Sequence, residues 1–143
     1  AGMDAKIVKR IGMTIPQFVK QHGWERFRDI ETEAAQELSQ CDNMIIDTGG
    51  GIIERPDNIP ALKKNGVVFW LKAKVDTIVA RIQGDDQRPA LLEGKTFTQE
   101  VGEVLAAREE RYAAAADHTI DTDTLTPEQV VQIILTELDS AHP

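Results

Sequence analysis

The stretch Met44-Ile-Ile-Asp-Thr-Gly-Gly-Gly51 (MIIDTGGG) decides how the rest of the chain is read. The apolar run Asn43 to Asp47 predicts a buried strand, which ends in the polar pair Asp47 and Thr48 and then in Gly49, Gly50 and Gly51. In an open parallel sheet, ligands bind just beyond the carboxyl ends of the strands, where such a loop falls. Three glycines in a row let backbone N–H groups approach a ligand with no Cβ in the way. A plain tight turn between strand and helix uses the same residues, so the loop alone does not name a ligand.

Working outward, two more short apolar runs predict strands, Val67 to Leu71 and His118 to Asp121. Helical spacing fills the intervals. Asp4, with Ile7 behind it, opens the first recognisable helix, where it also reads as a cap. Thr14 followed by Pro16 starts a short helix that Gly23 interrupts. Trp24, Phe27, Glu31, Ala34, Ala35 and Leu38 then share one face of a long amphipathic helix. Val75, Ile78, Val79 and Ile82 predict a helix closed by Gly84, and Thr98 caps one carrying Val101, Leu105, Arg108 and Tyr112. The last helix is signalled by Thr126, Pro127 and Gln129, a capping box with proline at the first position. Strands alternating with helices define an α/β class with a parallel sheet and helices on both faces. Residues 83–98 (QGDDQRPALLEGKTFT) break the pattern and read as a lid. Ala1 and Gly2 are expected to lie outside the fold, with frayed tails at Ala1 to Met3 and Ser140 to Pro143.

Composition narrows the partners. A chain of 143 residues with 41% hydrophobic side chains suits one domain with a real core. Its net charge of -8, from 24 acidic and 16 basic residues, argues against a nucleic-acid backbone or an anionic membrane as main partner. A small anion is still compatible, because a few arginines can form a local pocket on an acidic molecule. A single cysteine, Cys41, allows no internal disulfide and no zinc cluster, which sets a reducing cytoplasm as the default. The longest apolar run, Val67 to Leu71, is far too short to span a membrane. Arg28, Arg88, Arg108 and Arg111 are the candidate anion-binding residues, since guanidinium groups grip carboxylate or phosphate through two parallel hydrogen bonds. Arg28 stands out, with apolar Phe27 and Ile30 beside it and Glu31 three residues on.

Taken together, Asp4 with Ile7, Gly12-Met13-Thr14-Ile15, Phe27-Arg28-x-x-Glu31, Thr48-Gly49-Gly50-Gly51, Arg88-Pro89 and Arg108-x-x-x-Tyr112 resemble the shikimate kinases in order and spacing. The resemblance runs from Met3 to Leu138. It implies a three-layer P-loop kinase fold with a parallel sheet, and transfer of the γ-phosphoryl of ATP to the 3-hydroxyl of shikimate, with magnesium, in aromatic amino-acid biosynthesis. It further implies a single domain over residues 3–139, with a substrate-binding part at about 4–40 and the lid at 83–98. Asp4 matches the carboxylate that binds the substrate hydroxyls and acts as base. Arg28 and Arg108 match the pair that clamps the shikimate carboxylate, and Glu31 the acid that orients Arg28. Gly49, Gly50 and Gly51 match the substrate-binding loop, Arg88 the lid arginine that reaches the transferred phosphoryl, and Arg81 a residue stacked near adenine. No metal ligand is assigned.

The departures from that pattern carry their own expectations. Nothing in the chain matches the phosphate loop GxxxxGK[ST], Gly2 stands where the family has an acid, and Arg111 where it has an apolar residue. The chain therefore reads as a truncated kinase missing the first strand-loop-helix unit, inactive alone. Alternatives are a non-catalytic module for a shikimate-like carboxylate, or another small-molecule kinase of this fold. The expected partners are shikimate and ATP, with a monomeric full enzyme. Without a central strand, the strands at Asn43 and Val67 are expected to pair directly, to exchange strands with a second copy, or to be poorly stable.

Overall fold

The computed structural model describes residues 1–83, 94 and 96–141, which form two compact units. In the first, over residues 1–67, two helices carry the core. Helix α1 (Met3–Ile11) has Asp4 in its first turn and Lys9 and Arg10 in its last, as the helix dipole favours. It stops at Gly12, whose left-handed φ of 70° lets its N–H return to the Val8 carbonyl. Helix α2 (Ile15–Leu38) starts on a full capping box. The Gln17 N–H donates to Thr14 Oγ1 at 3.3 Å, and the Thr14 N–H to Gln17 Oε1 at 3.0 Å. The expected interruption at Gly23 is a kink, with φ 83° and ψ 166° inside the helix. Past it, Phe27, Ile30, Ala34, Ala35 and Leu38 bury one face, with Met3 and Ile7 also in the core.

The stretch predicted as the deciding strand is not one. Of residues 43–47, Asp47 alone joins a bridge, parallel to Gly2. The Met3 N–H donates to the Asp47 carbonyl and the Asp47 N–H to the Ala1 carbonyl, both at 2.8 Å, while the Ala1 amino group bonds the Ile45 carbonyl. A strand needs a continuous ladder of partners, and the apolar side chains here are left open, Ile45 at 89% exposure. The same contacts correct the expectation for the amino terminus. Ala1 and Gly2 belong to the fold, and Met3 is fully buried rather than frayed. The glycines then lead into a 3-10 turn (Gly50–Glu54) and a short helix α3 (Asn58–Lys63), two elements with no clear apolar period to announce them.

In the second unit, strands β1 (Phe69–Lys72) and β2 (His118–Asp121) pair in parallel, Phe69 opposite His118 and Lys72 opposite Asp121. Strand β1 begins two residues later than predicted because the Val68 N–H is taken by the Asp117 carboxylate, at 2.7 Å, ahead of the ladder. Helix α4 (Val75–Ile82) follows, and Asp123 accepts the N–H of its cap residue Lys74 at 2.8 Å. Helix α5 (Phe97–Ala115) is capped by Thr96, not Thr98. Thr96 has Gln99 three residues on to complete a reciprocal box, whereas Thr98 has Val101. Helix α6 (Pro127–Ala141) begins with the Thr126–Gln129 box as predicted. It runs through Ser140, whose hydroxyl donates to the Thr136 carbonyl, so that residue is not part of a frayed tail. Parallel strands joined through helices make this an α/β chain, as expected. The predicted closing residue Gly84 and most of the predicted lid, including Arg88, lie outside the described residues.

Two carboxylates tie this fold to pH. Hydrogen bonds from Arg10 and then Lys6 hold Glu37 below its ordinary 4.5, and the Lys74 N–H and then the Thr77 hydroxyl hold Asp123 below 3.8. A depressed folded pKa contributes stability above the ordinary value that disappears as pH falls through the folded one. Thermal unfolding followed from pH 7 down to 2.5 should thus lose stability below about pH 4.5. Glu37→Gln and Asp123→Asn should each flatten that acid limb, and an unchanged limb in both would refute the assignment.

Candidate functional site

Arg28 is the hub of the first unit. Its position on α2, one turn past the Gly23 kink, turns it inward with Phe27 and Ile30. A buried guanidinium needs a partner, and Nη1 finds Glu31 Oε1 at 2.9 Å, three residues along the same helix. Both residues are buried, Glu31 at 2% and Arg28 at 8% exposure. Two aromatic rings close around the cation, with Cζ 4.9 Å from the Trp24 centroid and 5.4 Å from that of Phe27. Trp24, which the sequence offers simply as packing, is therefore part of the arginine's cage.

The glycine loop lies directly on this group. A Cβ at Gly51 would stand 2.6 Å from Arg28 Cζ and 2.8 Å from Nη2, and nearer still to Nη1. No side chain fits there. At the other end, Gly49 has φ 69° and ψ 166°, and a Cβ on it would lie 3.5 Å from Asp4 Oδ1. The Asp47 carboxylate receives the Gly49 N–H at 3.4 Å, and the Thr48 hydroxyl donates to the Gly49 carbonyl at 3.0 Å. The loop thus joins an exposed carboxylate, Asp4, to a buried cation, Arg28. Such a pair can receive a hydroxyl proton at one point and an acid group at another.

Two further residues brace the loop's exit, and sequence reading missed both. Arg55 Nη2 reaches the Glu25 carbonyl at 3.2 Å, Glu25 Oε2 at 3.1 Å and Asp29 Oδ1 at 3.0 Å, tying the end of the turn to α2. Asn58, buried at 1% exposure, donates from Nδ2 to the Ile52 carbonyl at 3.0 Å. A lone arginine and an asparagine near Pro56 read as surface charge and helix cap, so local pattern gives neither away.

The structure thus gathers Asp4, Gly49, Gly50, Gly51, Arg28 and Glu31 in one unit. Arg81 and Arg108 belong to the other. Arg81 donates from Nη1 to the Thr122 hydroxyl at 2.8 Å and from Nη2 to the Thr122 carbonyl at 2.7 Å. Arg108 is half-buried on α5, one turn before Tyr112, whose ring lies 5.7 Å from that of Trp70. Arg111, exposed, folds back to within 3.4 Å of the Ala107 carbonyl of its own helix.

An α/β chain with a carboxylate and a caged arginine at the two ends of a glycine loop has the makings of a small-molecule kinase that takes a hydroxylated acid. The comparisons name which. The chain belongs to the shikimate kinase family, whose model matches residues 1–139. It is 42% identical over 138 residues to shikimate kinase 2 of Enterobacter sp. strain 638, a match covering 94% of this chain and 78% of that one. With the shikimate kinase of Caldicellulosiruptor bescii it shares 36% over 132 residues, covering 92% and 76%. Among solved structures, the shikimate kinase of Acinetobacter baumannii in complex with shikimate superposes with a TM-score of 0.92 at 30% identity, over 99% of this chain and 78% of that one. Among the described residues, no helix is long and apolar enough to cross a membrane.

The packing of Gly51 against Arg28 gives a direct test. Gly51→Ala should cost about 1–3 kcal/mol in equilibrium unfolding, the range for overpacking a tight site. In an Arg28→Ala background the same substitution should cost much less, because the clashing group is gone. Equal costs in both backgrounds would separate the glycine from the arginine.

Proposed function

We propose that this chain recognises shikimate as the acceptor for the γ-phosphoryl group of ATP. The observation that supports this most is the Arg28–Glu31 pair lying under Gly51 with Asp4 at the loop's far end. In this reading Glu31 fixes the guanidinium through Nη1, and Arg28 turns its remaining N–H groups to the substrate carboxylate. The backbone N–H groups of Gly50 and Gly51 hold the ring from the loop side. Asp4 accepts a hydrogen bond from the 3-hydroxyl, orients its oxygen for in-line attack and takes the proton as the new P–O bond forms. By the family's pattern, Arg108 takes a carboxylate-binding role, Arg81 the adenine and Arg88 the phosphoryl in transit. Two in-plane hydrogen bonds to Thr122 leave the flat face of Arg81 for such stacking.

The donor side is different. Among the described residues no group of three or more His, Cys, Asp or Glu side chains is placed to hold a metal ion, and GxxxxGK[ST] does not occur in the 143 residues. Without that loop, these residues lack the backbone cradle, lysine and hydroxyl that would hold magnesium with the ATP phosphates. In this reading the chain contributes acceptor recognition to a reaction in the cytoplasm.

Titration calorimetry with shikimate tests the reading. Binding should weaken with added salt, and Arg28→Lys, which keeps a charge opposite Glu31 but loses the planar fork, should cost roughly 2–4 kcal/mol. Trp24, 4.9 Å from the guanidinium, should report the same binding by fluorescence in a Trp70→Phe background. Binding that Arg28→Lys leaves intact would remove Arg28 from the carboxylate. With shikimate, ATP and magnesium, the 143-residue chain alone should release ADP no faster than a blank without shikimate.

A further inference from the structure

Among the described residues, the largest fully buried side chains are Met3, Ile7 and Asn58, and the last is the odd one out. Two are apolar and fill the core; Asn58 is an amide with two donors and an acceptor. Its Nδ2 donates to the Ile52 carbonyl, six residues back, while its Oδ1 has no hydrogen-bond partner. An apolar side chain of similar volume would fill this space without burying an unmatched acceptor. What the amide does that leucine cannot is to hold the Ile52 carbonyl. That carbonyl also sets which way round the amide sits, since the reverse orientation would put two oxygens against each other.

Ile52 follows Gly51 directly, in the middle of the 3-10 turn. Fixing its peptide plane fixes the turn that presents the Gly50 and Gly51 N–H groups and keeps Gly51 on the Arg28 guanidinium. Asn58 grips the turn a second time, its own N–H donating to the Arg55 carbonyl at 3.3 Å. Arg55 is in turn bound to Glu25 and Asp29 of the helix that carries Arg28. Both faces of the binding loop are thereby referred to α2.

We infer that Asn58 is a positioning residue for substrate binding, which acts by locking the Ile52 carbonyl so that the Gly50–Gly51 backbone is pre-set against Arg28. This inference rests on the acceptor reading above for its ligand, but its structural half does not. Hydrogen exchange without ligand and shikimate titration are to be measured on the full chain with Asn58→Ala and with Asn58→Leu, which keeps the volume filled. The expectation is at least tenfold faster exchange of the amides at 52–54, unchanged protection at 28–38 in α2, and about tenfold weaker shikimate binding in both variants. Unchanged exchange in the turn overturns the proposal. So does loss of protection in α2 together with the turn, or failure of both variants to fold, because Asn58 would then be a general packing residue. If the turn loosens as expected while the wild-type chain shows no shikimate binding, the acceptor reading fails and the locking role stands. If the wild-type binds and both variants bind equally well, the proposal fails alone.

Discussion

A buried positive charge sets the terms for the first unit of this molecule. Arg28 cannot sit inside the protein without Glu31, because a guanidinium stripped of water and left unmatched is among the costliest groups a core can hold. The pair at 2.9 Å therefore works as one object, and its neighbours are arranged around it. Trp24 and Phe27 shield it, Gly51 gives way to it, and α2 kinks at Gly23, five residues ahead of it. Well-packed apolar residues often replace a buried ion pair at no cost or with a gain in stability, but a unit so altered would have no means of holding an acid.

The glycine loop illustrates how one sequence feature answers two needs. Read alone, three glycines mean backbone exposed to a ligand. In place, Gly51 is bare because Arg28 occupies the volume where its side chain would be, and Gly49 because it adopts a left-handed φ beside Asp4. Close approach to a neighbouring side chain and access for a ligand are satisfied by the same missing Cβ atoms.

Much of the fold is legible in the residues because its signals are local. The boxes at Thr14 and Thr126, the kink at Gly23 and the strand at His118 each depend on a few adjacent side chains. The misreading at Asn43 to Asp47 arises because an apolar run states only a preference for burial. Whether it becomes a strand depends on partners distant in sequence, and Asp47 forms a bridge with Gly2 while Met44 and Ile45 join none. Site residues divide the same way. The i,i+3 spacing of Arg28 and Glu31 is visible as a helical pair, whereas Arg55 and Asn58 acquire their roles only when the chain returns to α2 and the turn. Family resemblance supplied the meaning of Asp4, which by its own context is just an acid in the first turn of a helix.

Thr122 has one more property, set by its neighbours at the end of β2. Its hydroxyl lies between Arg81 Nη1, which can only donate, and the Lys72 carbonyl at 3.0 Å, which can only accept. The hydroxyl proton consequently has a single place to be, pointing at Lys72, with a lone pair toward the arginine. The relay from Arg81 through Thr122 to Lys72 runs in one direction, without a second arrangement of equal standing. A guanidinium anchored through such a frozen rotor keeps its plane fixed to the end of strand β1, so whatever lies flat against Arg81 inherits its orientation from the sheet.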